Sequence, residues 1–243
     1  MLHVEFYPLD NEFEKLVNSF HFRSVTDLQA QMATSGAIIS GSAALAMLHP
    51  DRFAPNDLDF YVSRGGYTSL LAFVHDYGYA VEADGADCLA YERDTLVVLK
   101  LVHTEMGQEI NIITVLDGHV VNGITQFHST LVMNYIGWYG VVSLYPDWTM
   151  ARKGLIVRET AKTKECFEKY KQRGFDIVSS NTLLGDDEID HWCAEGPDCP
   201  KTERHLLDKH CAFLPFKGME GNLDYFETVS TSWSLNVKCA YLL

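Results

Sequence analysis

Two aspartates one residue apart, Asp57 and Asp59, carry the strongest chemical signal in the chain. They sit in Asp57-Leu58-Asp59-Phe60-Tyr61-Val62, which reads as a strand. Side chains alternate along a strand, so both carboxylates point one way while Leu58 and Phe60 point into the core. Carboxylates held side by side repel, and a fold usually keeps such a pair when a cation sits between them. A hard divalent ion such as Mg²⁺, or Mn²⁺ in its place, takes oxygen ligands, commonly one or two carboxylates plus substrate phosphates. Upstream stands Ile39-Ser40-Gly41-Ser42, an apolar strand end that turns through Gly41-Ser42 into a short helix. Small residues at a helix start suit phosphate, because free backbone N–H groups and the positive end of the helix dipole face it. Together these residues describe a site for a metal and a triphosphate. A surface hairpin with a solvated aspartate pair after an Asn-Asp turn is the plain alternative.

The pattern, an apolar residue, Gly-Ser, a gap and apolar-flanked aspartates, resembles the signature of the DNA polymerase β-like nucleotidyltransferase superfamily. It maps onto Gly41, Ser42, Asp57 and Asp59. Fourteen residues separate Ser42 from Asp57, slightly more than that signature has, so a larger loop from His49 to Asn56 is expected after the helix. A wider resemblance joins Ile39 to Leu45, Asn56 to Val62, Phe127 to Thr130 and Ser143 to Pro146 to a group of fungal proteins with a nucleotidyltransferase-like core. That likeness spans roughly residues 30 to 215.

The resemblance implies a third carboxylate on a later strand, placed to deprotonate an attacking hydroxyl. The matching strand runs from Gln108 to Val115, and its central polar residue is Asn111. An amide cannot act as a general base, and general base catalysis contributes about 10²–10⁴-fold. Glu109 shares a face with Asn111 and could restore a carboxylate in a shifted register; Asp117, just past the strand, is a weaker substitute. The fungal group also tends to carry an amide there. Two outcomes are therefore implied. One is an enzyme that binds a nucleoside triphosphate with Mg²⁺ through Asp57 and Asp59, with Glu109 or Asn111 beside them. It would transfer a nucleotidyl group to a hydroxyl on a protein, RNA or small molecule. The other is an inactive descendant that keeps the pocket for nucleotide sensing or partner binding. An interaction module working through an acidic surface is a third reading.

Charge qualifies the choice of ligand. The formal balance of −14 argues against general DNA binding, because an acidic surface repels a phosphate backbone. Between Ala151 and Phe175, however, eight Lys/Arg stand against three Glu. This stretch is largely helix-compatible, and Lys162, Lys169 and Arg173 can lie near one face, within reach of a triphosphate held at Gly41-Ser42. A solvated amphipathic helix is the bland alternative for any one of these cations. The 243 residues suffice for a substantial core, and scattered cysteines point to free thiols. The first ten residues hold Glu5 and Asp10 and do not read as a signal peptide; no run approaches a membrane span. An intracellular protein, cytoplasmic or nuclear, is expected.

Periodicity predicts an α/β (α+β) fold, a mixed sheet flanked by helices. Its nucleotidyltransferase-like core with N-terminal helices would cover residues 1–146, and a helical and mixed lobe residues 147–243. Helices are expected over Asn11–Phe20, from a capping box at Ser24 to about Ala33, over Ser42–Leu48, and from Thr68 to Tyr77 after a break at Gly65-Gly66. Strands are expected over Ala37–Ser40, Leu58–Val62, Cys88–Arg93, Leu96–His103 and Glu109–Val115, the last two joined by a turn at Met106-Gly107. Trp148 to Val157 would open the helical second lobe. His128 beside Ser129 reads as a polar junction between lobes rather than a hydrolytic pair, since adjacent residues rarely face each other. Cys193, Cys199, His205, His210 and Cys211 could hold zinc, though their spacing is poor and reduced cysteines explain them as well.

Overall fold

The computed structural model describes residues 9–81, 96–179, 199–206, 208–220 and 231–235. Two helices come first, α1 (Leu9–Ser19) and α2 (Val25–Ser35). The apolar positions of α1, Phe13, Leu16 and Val17, are buried, as is Phe20 just beyond it. Ser24 caps α2 by accepting from the Asp27 N–H, and Gly36 ends it in a left-handed conformation. The chain then runs through β1 (Ile38–Ser40), α3 (Gly41–Leu48), β2 (Asp57–Ser63), α4 (Arg64–Asp76), β3 (Tyr79–Val81), β4 (Leu96–His103) and β5 (Glu109–Val115). After the short α5 (Val121–Ile124) and a 3₁₀ turn at Thr130–Val132 come β6 (Asn134–Gly137), β7 (Gly140–Ser143) and α6 (Pro146–Met150). They are followed by β8 (Lys153–Leu155), α7 (Ala161–Gln172), β9 (Asp176–Val178), β10 (Arg204–His205), β11 (Ala212–Pro215) and β12 (Ser232–Trp233).

Eight strands form one mixed sheet in the order β11-β7-β6-β1-β2-β5-β4-β3. Within this sheet, among the described residues, only β2 and β5 pair in parallel; the other pairs are antiparallel. The α/β class and the run of strand, Gly-Ser helix, aspartate strand, helix and hairpin are those expected. Alternation gives the sheet two apolar faces. Ile39, Leu58, Phe60, Val62, Ile110 and Ile112 pack with Phe13, Leu28, Met32, Leu70 and Val74 of the helices. Ile38, Tyr61, Ile113 and Val115 instead join Tyr135, Tyr139, Val142 and Leu144 in a second core. The 146/147 position falls at the start of α6, and β11 from beyond it pairs with β7 on the edge of the main sheet. The strand expected at Cys88–Arg93 lies outside the described residues.

Two local expectations need correcting. The Gly65-Gly66 pair does not break the chain before a helix; it lies in the first turn of α4. Gly66 is there for contact: a Cβ on it would overlap the Ser35 carbonyl oxygen and approach Val62 Cγ2 to 2.8 Å. Gly66→Ala is therefore expected to push α4 off α2 and β2, costing about 1–3 kcal/mol in urea unfolding as an overpacked core does; an unchanged midpoint would disprove the contact. The second correction concerns Trp148–Val157. The helix ends at Met150, Arg152 takes a left-handed φ of 59°, and the chain becomes β8, pairing in parallel with β9. Gly154 allows this flat approach, since a Cβ there would sit 2.7 Å from Ser129 Oγ.

Candidate metal and nucleotide site

The parallel register of β2 and β5 assembles the polar groups. Asp57 stands opposite Glu109 and Asp59 opposite Asn111, so all four side chains leave the sheet on one face at the start of both strands. Ser40 on β1 lies beside Asp59, and Lys100 on β4 lies beside Asn111. Along the same face the residues turn apolar, with Tyr61 and Ile113 entering the second core. Hydrophobic burial at one end of each strand thus fixes the carboxylates at the other.

Gly41 begins α3 directly against this row. Its φ is +67°, and a Cβ would overlap Asp59 Oδ2, so glycine is required both for the turn and for the approach. The helix has Ser40 at its N-cap without a side-chain capping bond, because Ser40 Oγ instead donates to the Asn134 carbonyl at 2.5 Å. Ser42 Oγ donates to Asp57 Oδ1 at 3.5 Å, a long contact. Both Gly41 and Ser42 are buried, and so is the rest of α3 through Met47.

Asp59 is the electrostatic centre. Burial first, and then the charge of Asp57, push its carboxyl up to about 6, opposed by the Asn111 amide and by Lys169. Asn111 Nδ2 donates to Asp59 Oδ1 at 2.9 Å. Glu109 is half-exposed, and its Oε1 lies 3.0 Å from Lys100 Nζ. Two like charges in a desolvated corner form a poor arrangement for the free protein and a good one for a divalent cation. The donor set fits Mg²⁺ or Mn²⁺, which need few protein carboxylates when phosphates and water supply the remaining ligands. Among the described residues no group of three or more His, Cys, Asp or Glu converges into a complete metal cage.

The basic cluster divides on folding. Helix α7 covers only Ala161–Gln172, so Arg152, Lys153 and Arg158 fall outside it. Lys169 brings its charge to Asp59, whereas Lys162 is exposed about 10 Å of helix rise earlier. Arg173 follows the helix and lays its guanidinium over the Phe53 ring at 4.0 Å, with Nη1 buried and lacking a hydrogen-bond partner among the described residues. Phe53 belongs to the long segment between α3 and β2, so that extra length supplies a cover for α7. Tyr170, raised by burial, also senses the charges of Arg173, Asp59 and Asp57. Lys100 and Tyr170 were missed at the level of sequence; alternation along β4, once paired with β5, is the signal that would have found Lys100.

His128 and Ser129 do not form a hydrolytic pair. Ser129 is buried and its Oγ accepts from the Leu131 N–H, capping the 3₁₀ turn. The His128 ring packs on Phe167 at 5.3 Å and is pushed down to about 4, first by burial and then by Arg158 and Lys169. The zinc candidates also part company. Cys193 lies outside the described residues. Asp208 pairs with the buried Arg204 and accepts from the His205 and His210 backbone N–H groups, while Cys211 Sγ donates to the His205 carbonyl. Burial and then Asp208 push the Cys211 thiol up to about 12, away from the thiolate that zinc binds. Arg204, between the rings of Tyr145 and Trp233, is the hub of this region.

Among the described residues no helix is long and apolar enough to cross a membrane. No protein-family model matches the chain, and no curated protein matches it in sequence. Among solved structures, the complex structure of a CCA-adding enzyme with CTP is similar to it, with a TM-score of 0.46 and 10% sequence identity. The likeness covers 73% of this chain and 45% of that enzyme, so this chain spans less than half of its length.

Proposed function

We propose that the chain binds a nucleoside triphosphate together with Mg²⁺ or Mn²⁺ and transfers a nucleotidyl group to a hydroxyl of a protein, an RNA or a small molecule. The observation that carries this reading is the contact of Gly41, at the start of α3, with the Asp59 carboxylate beside Asp57. It sets a helix N-terminus suited to phosphate against a carboxylate pair suited to a divalent ion. When bound, such an ion would supply positive charge to offset the negative charge that develops on the phosphates. Asp57 and Asp59 would hold it, the Gly41-Ser42 backbone would orient the phosphates, and Lys169 would add positive charge from the α7 side. Lys162 and Arg173 are assigned to the outer part of the same anionic ligand.

Asn111 favours a second reading, a nucleotide-binding protein without transfer activity. Its amide donates to Asp59 from the position where a base would stand, and an amide accepts no proton. Calorimetric titration with nonhydrolysable analogues of ATP, CTP, GTP and UTP, with Mg²⁺ and with EDTA, tests the shared part of both readings. Metal-dependent binding to at least one analogue is expected, and Asp57→Ala should weaken it more than about 100-fold while leaving the circular dichroism unchanged. Equal binding by wild type and variant would discard the site. Pyrophosphate release then separates transfer from binding alone.

A further inference from the structure

The charges around the aspartate pair suit one divalent ion better than two. On the site face, Asn111 stands between Asp59 and Lys100, and Glu109 stands between Asp57 and Val102. Asn111 spends its N–H on Asp59 Oδ1, which occupies one side of that carboxylate. Lys100 starts opposite Asn111 and reaches along the strand to Glu109, so its ammonium lies across the edge of the row. With Lys169 reaching Asp59 from α7, these groups comprise three carboxylates, two ammoniums and a neutral amide, a net of one negative charge. One divalent cation already more than balances them. A second, which two-metal sites place about 3.5–4 Å from the first, would meet an amide and the Lys100 ammonium instead of a free carboxylate.

We infer that this site takes a single divalent cation, and that Lys100 is the positioning residue that keeps Glu109 out of its ligand set. This rests on the reading of Asp57 and Asp59 as metal ligands. In functional terms, the cation that accompanies the triphosphate has a place, whereas a cation that would activate the acceptor does not.

Mn²⁺ titration followed by the electron paramagnetic resonance signal of the free ion counts bound ions directly, without any activity. It is run on the free protein and with a nonhydrolysable triphosphate held below the protein concentration. Wild type should take up one equivalent in both conditions. Lys100→Met and Lys100→Gln release Glu109 and remove a nearby positive charge, so they should bind Mn²⁺ roughly tenfold more tightly or take up a second equivalent. Two variants are used so that a folding defect in one does not decide the matter. Two equivalents in wild type, or Lys100 variants that bind as wild type does, would overturn the inference. Asp57→Ala isolates the underlying reading. If it still binds one equivalent, the ion lies elsewhere and that reading fails whatever the Lys100 variants do; if wild type binds none, both fall.

Discussion

Asp59→Asn should make the protein more stable at pH 7.5 while removing its response to Mg²⁺. The Asp59 carboxyl titrates at about 6 in the fold, against an ordinary 3.8, because burial and Asp57 both penalise its charge. The folded chain therefore binds this proton more tightly than the unfolded chain does. At any pH above about 6 the ionised group costs stability, by up to about 3 kcal/mol, and the cost disappears as pH falls below about 4. Asparagine carries no charge and can still accept from Asn111 Nδ2. The expected gain is roughly 5–10 °C in melting temperature at neutral pH, shrinking towards zero in acid. Wild type should recover much of the difference on adding Mg²⁺, since a ligand that binds only the folded state stabilises it. A variant less stable than wild type at pH 7.5, or equally stabilised by Mg²⁺, would contradict the assignment of Asp59.

Gly41→Ala should abolish Mg²⁺-dependent triphosphate binding. Left-handed backbone costs a residue other than glycine about 1–2 kcal/mol, and here the new methyl also drives into Asp59 Oδ2. The carboxylate can escape only by leaving the direction it shares with Asp57. Gly36→Ala is the matched control, because Gly36 has nearly the same φ, +66°, with nothing within 4 Å of the added Cβ. Urea unfolding should show both variants destabilised, Gly41→Ala more so, and calorimetry should show binding lost only in Gly41→Ala. Similar binding by the two would mean that the methyl at position 41 does not disturb the ligand site.

A buried carboxylate pair and a neutral amide together explain why the fold and the activity are separate questions in this chain. On the proposed reading, ligand binding would draw on Asp57, Asp59 and the start of α3, which one short segment supplies. Proton removal would call for a carboxylate on β5, and that strand offers an amide bonded to Asp59 and a glutamate paired with Lys100.

The elements that depend on near neighbours were legible from sequence. Alternation gave β2, β4 and β5, the Ser24 cap and Gly36 bounded α2, and Gly41 marked the turn into α3. Asn111 was also singled out, as an amide where the resemblance implies a carboxylate, but its place opposite Asp59 comes from the parallel register of β2 and β5. Errors arose where a distant residue decided the outcome. Gly66 looks like a break until the Ser35 carbonyl is placed against it, and Trp148–Val157 looks helical until Gly154 lies on Ser129. The addition of β11 beside β7 joins strands about seventy residues apart, and no local pattern encodes that pairing.

The sequence by itself determined the chemical groups and their faces, since alternation along a strand and glycine at a left-handed turn are properties of a few adjacent residues. Only the tertiary structure decided which charges act together. It turned Lys100 to Glu109 and Lys169 towards Asp59, and it sent Arg173 onto Phe53. Strand register and helix docking are set by the packing of the apolar cores, including the one that seats Tyr170 of α7, and electrostatic coupling depends on the distances and burial which that packing leaves behind.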